Sequence, residues 1–264
     1  MARSSALRGT LAAPGSSLAL EVGWATHAGR VRPKNEDYVL VEMPEEPVMA
    51  AGRGSLFLVA DGVGGAGGGA VASAEASHTV LQEYYLERRG HPGRALRRAI
   101  QQANLHVYTL RLGHPDLAGM QTTLTALVLC QGRYWAGHVG DSKLFLAREG
   151  TVRQLTRDHT VVDEMRRVGL VDVARAAHHR YRHLLTRTVG GDPLVPVDMM
   201  AGRVLPGDCY ILATDGILEH LTADDVAAAF RSSPVAEAAA ACVDEANRRG
   251  GFDNLTVLGV RVTG

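Results

Sequence analysis

The stretch Leu56-Phe57-Leu58-Val59-Ala60-Asp61-Gly62-Val63-Gly64-Gly65 decides how the chain folds. Its apolar run, followed at once by glycines, reads as a buried strand that ends in a loop. Gly62, Gly64, Gly65, Gly67, Gly68 and Gly69 crowd into that loop, so its backbone turns tightly or approaches something closely. A second apolar run, 209–214, ends in the same way on Asp215-Gly216. Two hydrophobic strands thus deliver carboxylates to their ends.

Between the glycine loop and residue 122 the periodicity is helical over 71–88 and 93–112, with Leu96, Ile100, Ala103, Val107 and Leu110 at three- and four-residue steps. From there the pattern changes to short β-rich runs, 122–130, 133–139, 143–147 and 151–155, punctuated by Gln131-Gly132 and Glu149-Gly150. These predict a meander of hairpins. Further strands are expected at 20–26, 38–43 and 255–262. Thr222 with Asp225 resembles a helix N-cap, and Val235, Ala239, Cys242, Val243 and Ala246 mark a helix ended by Gly250-Gly251. Strands first and last, with helices in blocks between them, predict an α+β fold of sandwich layers rather than parallel βαβ units. Residues 1–18 read as a flexible tail and 19–264 as one domain, without an internal repeat or a linker.

The composition excludes several classes. The chain has 264 residues, 46% hydrophobic and 21% charged, which is ordinary for a globular protein and wrong for disorder, collagen or coiled coil. Lys+Arg and Asp+Glu both number 28, so no net field favours nucleic acid or an anionic membrane. Cys130, Cys209 and Cys242 lie far apart, neither a zinc knuckle nor a disulfide scaffold, and fit a reducing cytoplasm. Pro14-Gly15-Ser16-Ser17 breaks the N-terminal apolar run before it forms a signal-peptide core. Nowhere else does an apolar stretch reach the roughly 18 to 20 residues that span a bilayer.

Asp61 and Asp215 follow strands, Asp141 lies between the runs 133–139 and 143–147, and Asp253 precedes the last strand. Each of the Asp-Gly and Gly-Asp pairs is also ordinary turn chemistry. If these ends share one rim, however, four carboxylates converge beside a buried core and need cations or protons. Basic side chains can neutralise one or two. Divalent ions answer the rest, and all-oxygen ligands select Mg²⁺ or Mn²⁺ over zinc. Gly62, lacking a side chain, would let its carbonyl approach an ion held by Asp61. Two such ions about 4 Å apart can share a water, lower its pKa and aim the hydroxide at a phosphoryl centre.

At these residues the sequence strongly resembles the metal-dependent serine/threonine protein phosphatases of type 2C, in their short bacterial form. The ordered blocks are Arg32-Pro33-Lys34-Asn35-Glu36-Asp37, Asp61-Gly62-Val63-Gly64-Gly65, Thr122-Thr123-Leu124, Gly140-Asp141-Ser142, Leu155-Thr156-Arg157-Asp158-His159, Leu185-Thr186-Arg187, Thr214-Asp215-Gly216 and Asp253-Asn254-Leu255-Thr256. The resemblance implies two stacked antiparallel β-sheets flanked by α-helices, an α-β-β-α sandwich. It implies that Asp61 bridges two core metals, that the Gly62 carbonyl ligates one, and that Asp215 and Asp253 complete the other. Asp141 with Asp215 would hold a third ion. Asp37, beside Glu36, would support the site through water, Asn254 would stand behind it, and Arg32 would bind the substrate phosphate through its planar fork. The activity implied is hydrolysis of phosphoserine and phosphothreonine in proteins by a hydroxide bridging two Mn²⁺ or Mg²⁺ ions, without a phosphoenzyme. The partners would be a serine/threonine kinase and its substrates, met by a monomer in the cytoplasm.

Two positions depart from the family pattern. Val63 stands where some members have a histidine able to protonate the leaving group, so water becomes the expected acid. Lys143 replaces the arginine usual after Asp141-Ser142. The segment 158–185 corresponds to a flap beside the site, and here carries Arg175, His178, His179, Arg180, Arg182 and His183, a charge run that either attracts acidic peptides or is simply solvated. The glycine run lacks the Gly-Lys-Ser/Thr ending of a nucleotide loop. The competing functions are a catalytically silent phosphoprotein-binding module and a metal-dependent phosphodiesterase, the latter disfavoured by zero net charge.

Overall fold

The computed structural model describes residues 7–12 (backbone only), 19–64, 68–86, 90–117, 119–172, 175–176 and 179–264. One sheet contains β1 (Leu7–Ala12), β2 (Ala19–His27), β8 (Lys143–Arg148), β9 (Thr151–Gln154), β11 (Cys209–Ala213) and β12 (Leu255–Val262), in the order β1-β2-β12-β11-β8-β9. The other contains β3 (Asp37–Glu42), β4 (Ser55–Val63), β6 (Leu124–Cys130), β7 (Arg133–Val139) and β10 (Asp198–Arg203), in the order β10-β7-β6-β4-β3, with β5 (Gln121–Thr122) paired to the end of β4. Every pairing is antiparallel. The helices are α1 (Pro47–Arg53), α2 (Gly68–Tyr85), α3 (Pro92–Gly113), α4 (Val161–Arg167), α5 (Asp215–Leu218), α6 (Ala223–Ser232) and α7 (Val235–Arg248).

Three apolar layers hold these elements together. Strand β4 shows why its run carries no polar residue. Phe57 and Val59 face the opposite sheet, where they meet Leu144, Tyr210, Leu212 and Leu258. Leu56, Leu58 and Ala60 face outward and are covered by Val80 of α2 and Leu96 and Ile100 of α3. On the other flank α6 and α7 bury Phe230, Ala239 and Val243 against Ile211 and Val257. A strand covered on both faces has no position left for a polar side chain. The α-β-β-α sandwich is therefore as expected.

Four details differ from the sequence reading. β6–β7 and β8–β9 are hairpins, but the run is no continuous meander: β8 pairs with β11, so the chain leaves one sheet for the other across Gly140-Asp141-Ser142. Gly140 makes that crossing in the left-handed region, at φ +109°. The run 122–130 is broken at Thr123, whose N–H donates to the Asp61 carbonyl at 2.8 Å. Within the stretch read as a tail, β1 pairs along β2, Leu7 opposite Trp24 and Ala12 opposite Ala19, which covers an otherwise open sheet edge. The rest of 1–18 lies outside the described residues. Finally, α2 starts at Gly68, inside the glycine run, and α1, α4 and β10 were not anticipated.

At the end remote from those strand-end carboxylates, Arg148 of β8 pairs with Asp208 and also donates to the Arg203 carbonyl of β10, in the other sheet, at 2.9 Å. Asp208, 1% exposed, accepts from Arg148 Nε at 2.6 Å and Nη2 at 2.7 Å, and from Leu205 N–H at 2.8 Å. Asp208→Ala removes the carboxylate partner of the Arg148 guanidinium and the acceptor of the Leu205 amide. We expect it to lower unfolding free energy by about 3 kcal/mol in urea denaturation while kcat of the surviving folded protein is unchanged.

Candidate active site

Period-two alternation carries the inter-sheet layer to one rim and changes its chemistry there. The parity that sends Val39 and Val41 of β3 between the sheets also sends Asp37 there, and the parity of Phe57 and Val59 sends Asp61. On the facing sheet, Tyr210 and Leu212 are followed in step by Thr214, and Leu258 and Val260 are preceded in step by Thr256. The β3–β4 register sets Asp37 directly opposite Asp61. Thr214 Oγ1 donates to Asp37 Oδ2 at 2.9 Å and so links the two sheets.

The remaining residues reach the same rim from loops. Asp215 opens α5 immediately after β11, Asp253 precedes β12, and Asp141 sits at the sheet crossing. The Asp61 backbone is fixed on both sides: its N–H donates to Thr123 Oγ1 at 3.0 Å, and its carbonyl accepts from Thr122 Oγ1 at 2.8 Å. A Cβ on Gly62 would stand 2.2 Å from the Gly69 carbonyl oxygen and 2.6 Å from that of Glu36, so only glycine lets β4 meet the start of α2. Asn254 pins the loop that carries Arg32: its Oδ1 accepts from Glu36 N–H at 2.8 Å, and its Nδ2 donates to the carbonyls of Ala28 (3.0 Å) and Lys34 (2.9 Å). Lys143 Nζ donates to the Asp141 carbonyl at 2.9 Å and to Asp158 Oδ2 at 2.7 Å. One backbone carbonyl and one carboxylate oxygen are acceptors that a rotatable ammonium can serve without the arginine fork.

The result is a cleft of about 610 Å³. Arg32, Asp61, Gly62, Asp141, Asp215 and Asp253 line it, and Asp37 lies beside Asp61 on the neighbouring strand. All seven expected residues are therefore at one place. Arg32 Nη2 donates to Asp253 Oδ2 at 2.7 Å, so its guanidinium, about half exposed, stands across the cleft mouth. Two further acid-base groups line the cleft that the sequence reading did not assign to it. His183 places Nδ1 3.9 Å from Asp215 and Nε2 3.4 Å from Glu219. Glu219 is one helical turn beyond Asp215, a spacing that could have revealed it. Of the flap's charge run only His183 lines the cleft; Arg180 stacks on Tyr181, and His178 lies outside the described residues.

Crowding shapes the ionisation of these groups. Burial, then the charges of Asp37, Asp215, Asp141 and Asp253, hold Asp61 well above the usual carboxylate range. Burial pushes Asp37 to about 7 against hydrogen bonds from Thr256 and Thr214. Asp141 is pushed to about 7 by burial and by Asp215, with Lys143 opposing. Asp215 is held below the usual carboxylate range: burial raises it, but the neighbouring His183 and Asp61 side chains outweigh that and leave it low.

Such a constellation fits hard divalent cations. Asp37 Oδ1 is buried without a hydrogen-bond partner among the described residues, the donors are oxygens throughout, and Gly62 leaves its carbonyl approachable. Among the described residues no three His, Cys, Asp or Glu side chains already close on a single point. Asp61, Asp141, Asp215 and Asp253 nevertheless line one cleft, where a cation would offset their charge.

A pH dependence follows from these shifts. In the folded, chelator-treated protein Asp37 and Asp141 keep their protons up to about 7, whereas in the unfolded chain they lose them near 3.8. Folding therefore takes up protons between those values, and stability falls as pH rises through that window. We expect Tm of the chelated protein to drop from about pH 5 to about pH 8, and Mn²⁺ to raise Tm most at the upper end because it replaces the missing protons. A metal-induced shift that is equally large in Asp61→Asn would contradict this origin.

The family pattern of protein phosphatase 2C matches residues 48–248. Serine/threonine phosphatase stp of Listeria monocytogenes is 31% identical over 241 residues, covering 88% of this chain and 92% of that protein. The crystal structure of the Mycobacterium tuberculosis serine/threonine phosphatase PstP/Ppp superposes with a TM-score of 0.83 at 30% identity, covering 93% of this chain and 99% of that one. A structure of the catalytic domain of PstP in complex with two manganese ions superposes with a TM-score of 0.81 at 30% identity, over 94% of this chain and all of that one (100%). With the matched pattern extending over most of its length and its rim carboxylates assembled as described, the chain belongs to the protein phosphatase 2C family.

Proposed function

We propose that Asp61, Asp215 and Asp253, with the Gly62 carbonyl, hold two divalent ions in the cleft, that Asp141 and Asp215 offer a third position, and that Arg32 receives the substrate phosphate. The enzyme is a metal-dependent phosphatase of phosphoserine and phosphothreonine in proteins. The observation that carries the reading is the meeting of five aspartates from both sheets on one rim, with Asp61 and Asp37 directly opposite each other across the β3–β4 ladder. Charge of that density next to a hydrophobic layer is stable only with protons or cations.

When bound, Mn²⁺ or Mg²⁺ supplies what no side chain here supplies, a strongly acidified water and positive charge beside the phosphoryl oxygens. The chain's own residues do the remainder. Arg32 stands at the cleft mouth, where its fork can pair two phosphate oxygens and hold the phosphorus in line for attack. Thr122 and Thr123 fix the Asp61 backbone, and Lys143 fixes Asp141, so the carboxylates need little reorganisation. Water adds to phosphorus, the P–O bond to the seryl or threonyl oxygen breaks, and that oxygen takes a proton from solvent, since Val63 offers none. Thiol nucleophiles have no part in this: Cys130, Cys209 and Cys242 are buried, and burial pushes the Cys209 and Cys242 thiols up to about 12.

We assign the protein to the cytoplasm, as a monomer that opposes a serine/threonine kinase. Its three free, buried cysteines suit a reducing compartment.

Phosphopeptide hydrolysis after chelation, with and without added Mn²⁺, tests chemistry and cofactor together. Asp61→Asn and Asp215→Asn should abolish turnover with an unchanged circular dichroism spectrum; full activity in either would refute the assignment. Arg32→Ala should retain the fold and lose about a hundredfold in kcat/KM, since it removes a charge-assisted pair to phosphate.

A further inference from the structure

The catalytic rim is acidic, yet the substrate is a phosphorylated and hence anionic segment. A second concavity, of about 470 Å³, has the opposite character. It lies on the outer face of the β10-β7 edge, under the first turns of α3, and Arg94, Arg97, Arg98 and Arg133 line it together with Trp135. No Asp or Glu is among its described lining residues. Arg203 stands directly across the ladder from Arg133, a like-charge pair that is unfavourable unless an anion compensates it. Arg94 and Arg97 occupy the start of a 22-residue helix without an acidic residue in its first turn, against the helix dipole. Arg94, Arg97, Arg133 and Arg203 have no ion pair among the described residues, although the chain as a whole carries equal numbers of acids and bases. Like charges gathered in a concavity focus a field that a neutral net charge conceals.

We propose that this arginine groove is a docking site for an acidic peptide segment of the phosphoprotein substrate, separate from the segment being dephosphorylated. The proposal rests on the phosphatase reading above. Several observations favour a peptide over nucleic acid. The cations spread over a helical turn and across two strands, which suits a run of carboxylates. β10 is the outermost strand of its sheet, so its free edge offers backbone hydrogen bonds to an extended peptide. Trp135 is only 8% exposed and presents no open ring for a base to stack on. The groove begins at Arg133, the far end of β7 from Gly140 and the rim, or about 20 Å along the strand. A substrate would thus reach both places with an acidic segment and a phosphosite separated by at least about six extended residues. Docking at one raises the local concentration of the other at the cleft.

The test uses a fluorescein-labelled hexaglutamate peptide without phosphate, and a phosphothreonine peptide with and without that acidic run on a glycine-serine spacer. The wild type should bind the label at low salt and release it as salt rises, and the acidic run should lower KM about tenfold, with kcat unchanged. The triple variant Arg94→Ser, Arg97→Ser, Arg133→Ser should lose both effects while hydrolysing p-nitrophenyl phosphate and the plain peptide as the wild type does. The matching Arg→Lys variant should keep most of the effect, which separates lost charge from lost packing. An acidic run that gives no advantage, or the same advantage in the triple variant, overturns the proposal. So does an oligothymidylate of equal charge that displaces the label more effectively than unlabelled peptide. Failure of the phosphatase reading is recognised separately: it removes manganese-dependent p-nitrophenyl phosphate turnover but leaves binding of the unphosphorylated label intact.

Discussion

Everything at the rim depends on two carboxylates that face each other across the β3–β4 ladder. Asp37 and Asp61 occupy inward-facing positions, and neither has a basic partner among the described hydrogen bonds. In water such a pair would separate; in a ladder whose register is fixed by hydrophobic neighbours on both faces it cannot. The apolar layers that make the sandwich stable therefore hold the charges in an arrangement that solvent alone would not tolerate. A proton kept on Asp61, whose carboxyl is held well above the usual range by burial and by its neighbours' charges, is a partial answer to that conflict. A cation is the more complete one. Affinity for metal and instability without it are consequences of the same packing.

The second sheet contributes the complement. Thr26, Thr214 and Thr256 continue the inward face of β2, β11 and β12, and Thr26 and Thr256 share a hydrogen bond at 2.8 Å. Hydroxyls at these positions turn the mouth of the inter-sheet layer polar without adding charge, and Thr214 reaches over to Asp37. Behind Asp141, Gly140 and His159 exchange two hydrogen bonds, backbone to backbone at 2.8 Å and Gly140 N–H to Nδ1 at 3.0 Å. That joins the crossing loop to the base of the segment 158–185, whose two ends also meet where Thr160 bridges Leu185.

Much of this was readable in the sequence, and the unread parts share a cause. Asp61 and Asp215 were legible because an apolar strand that stops on a carboxylate is a local pattern. The expected set of site residues came from the ordered motifs, and the structure brings six of them to line one cleft, with Asp37 beside Asp61. The crossing at Gly140-Asp141-Ser142 was read as another hairpin, since spacing does not say which sheet the next strand joins. β10, with the sequence Asp-Met-Met-Ala-Gly-Arg, has neither alternation nor β-branched residues and is a strand only because β7 offers an edge. β1 is a similar case on the edge of β2. His183 enters the cleft through the tertiary path of a long segment, for which its neighbours in sequence give no signal.

Asn254 joins the loop 28–36 to the start of β12, across more than two hundred residues of chain. Asp253 and Arg32, paired at 2.7 Å, are 221 positions apart. A growing polypeptide leaving the ribosome has its first carboxylates early, but the loop that presents Arg32 lacks its Asn254 and Asp253 partners until the start of β12 is in place between β2 and β11. Synthesis itself thus acts as a timer: a nascent or prematurely truncated copy is silent toward the phosphoproteins around it, and competence arrives in one late step when the central strand slots in.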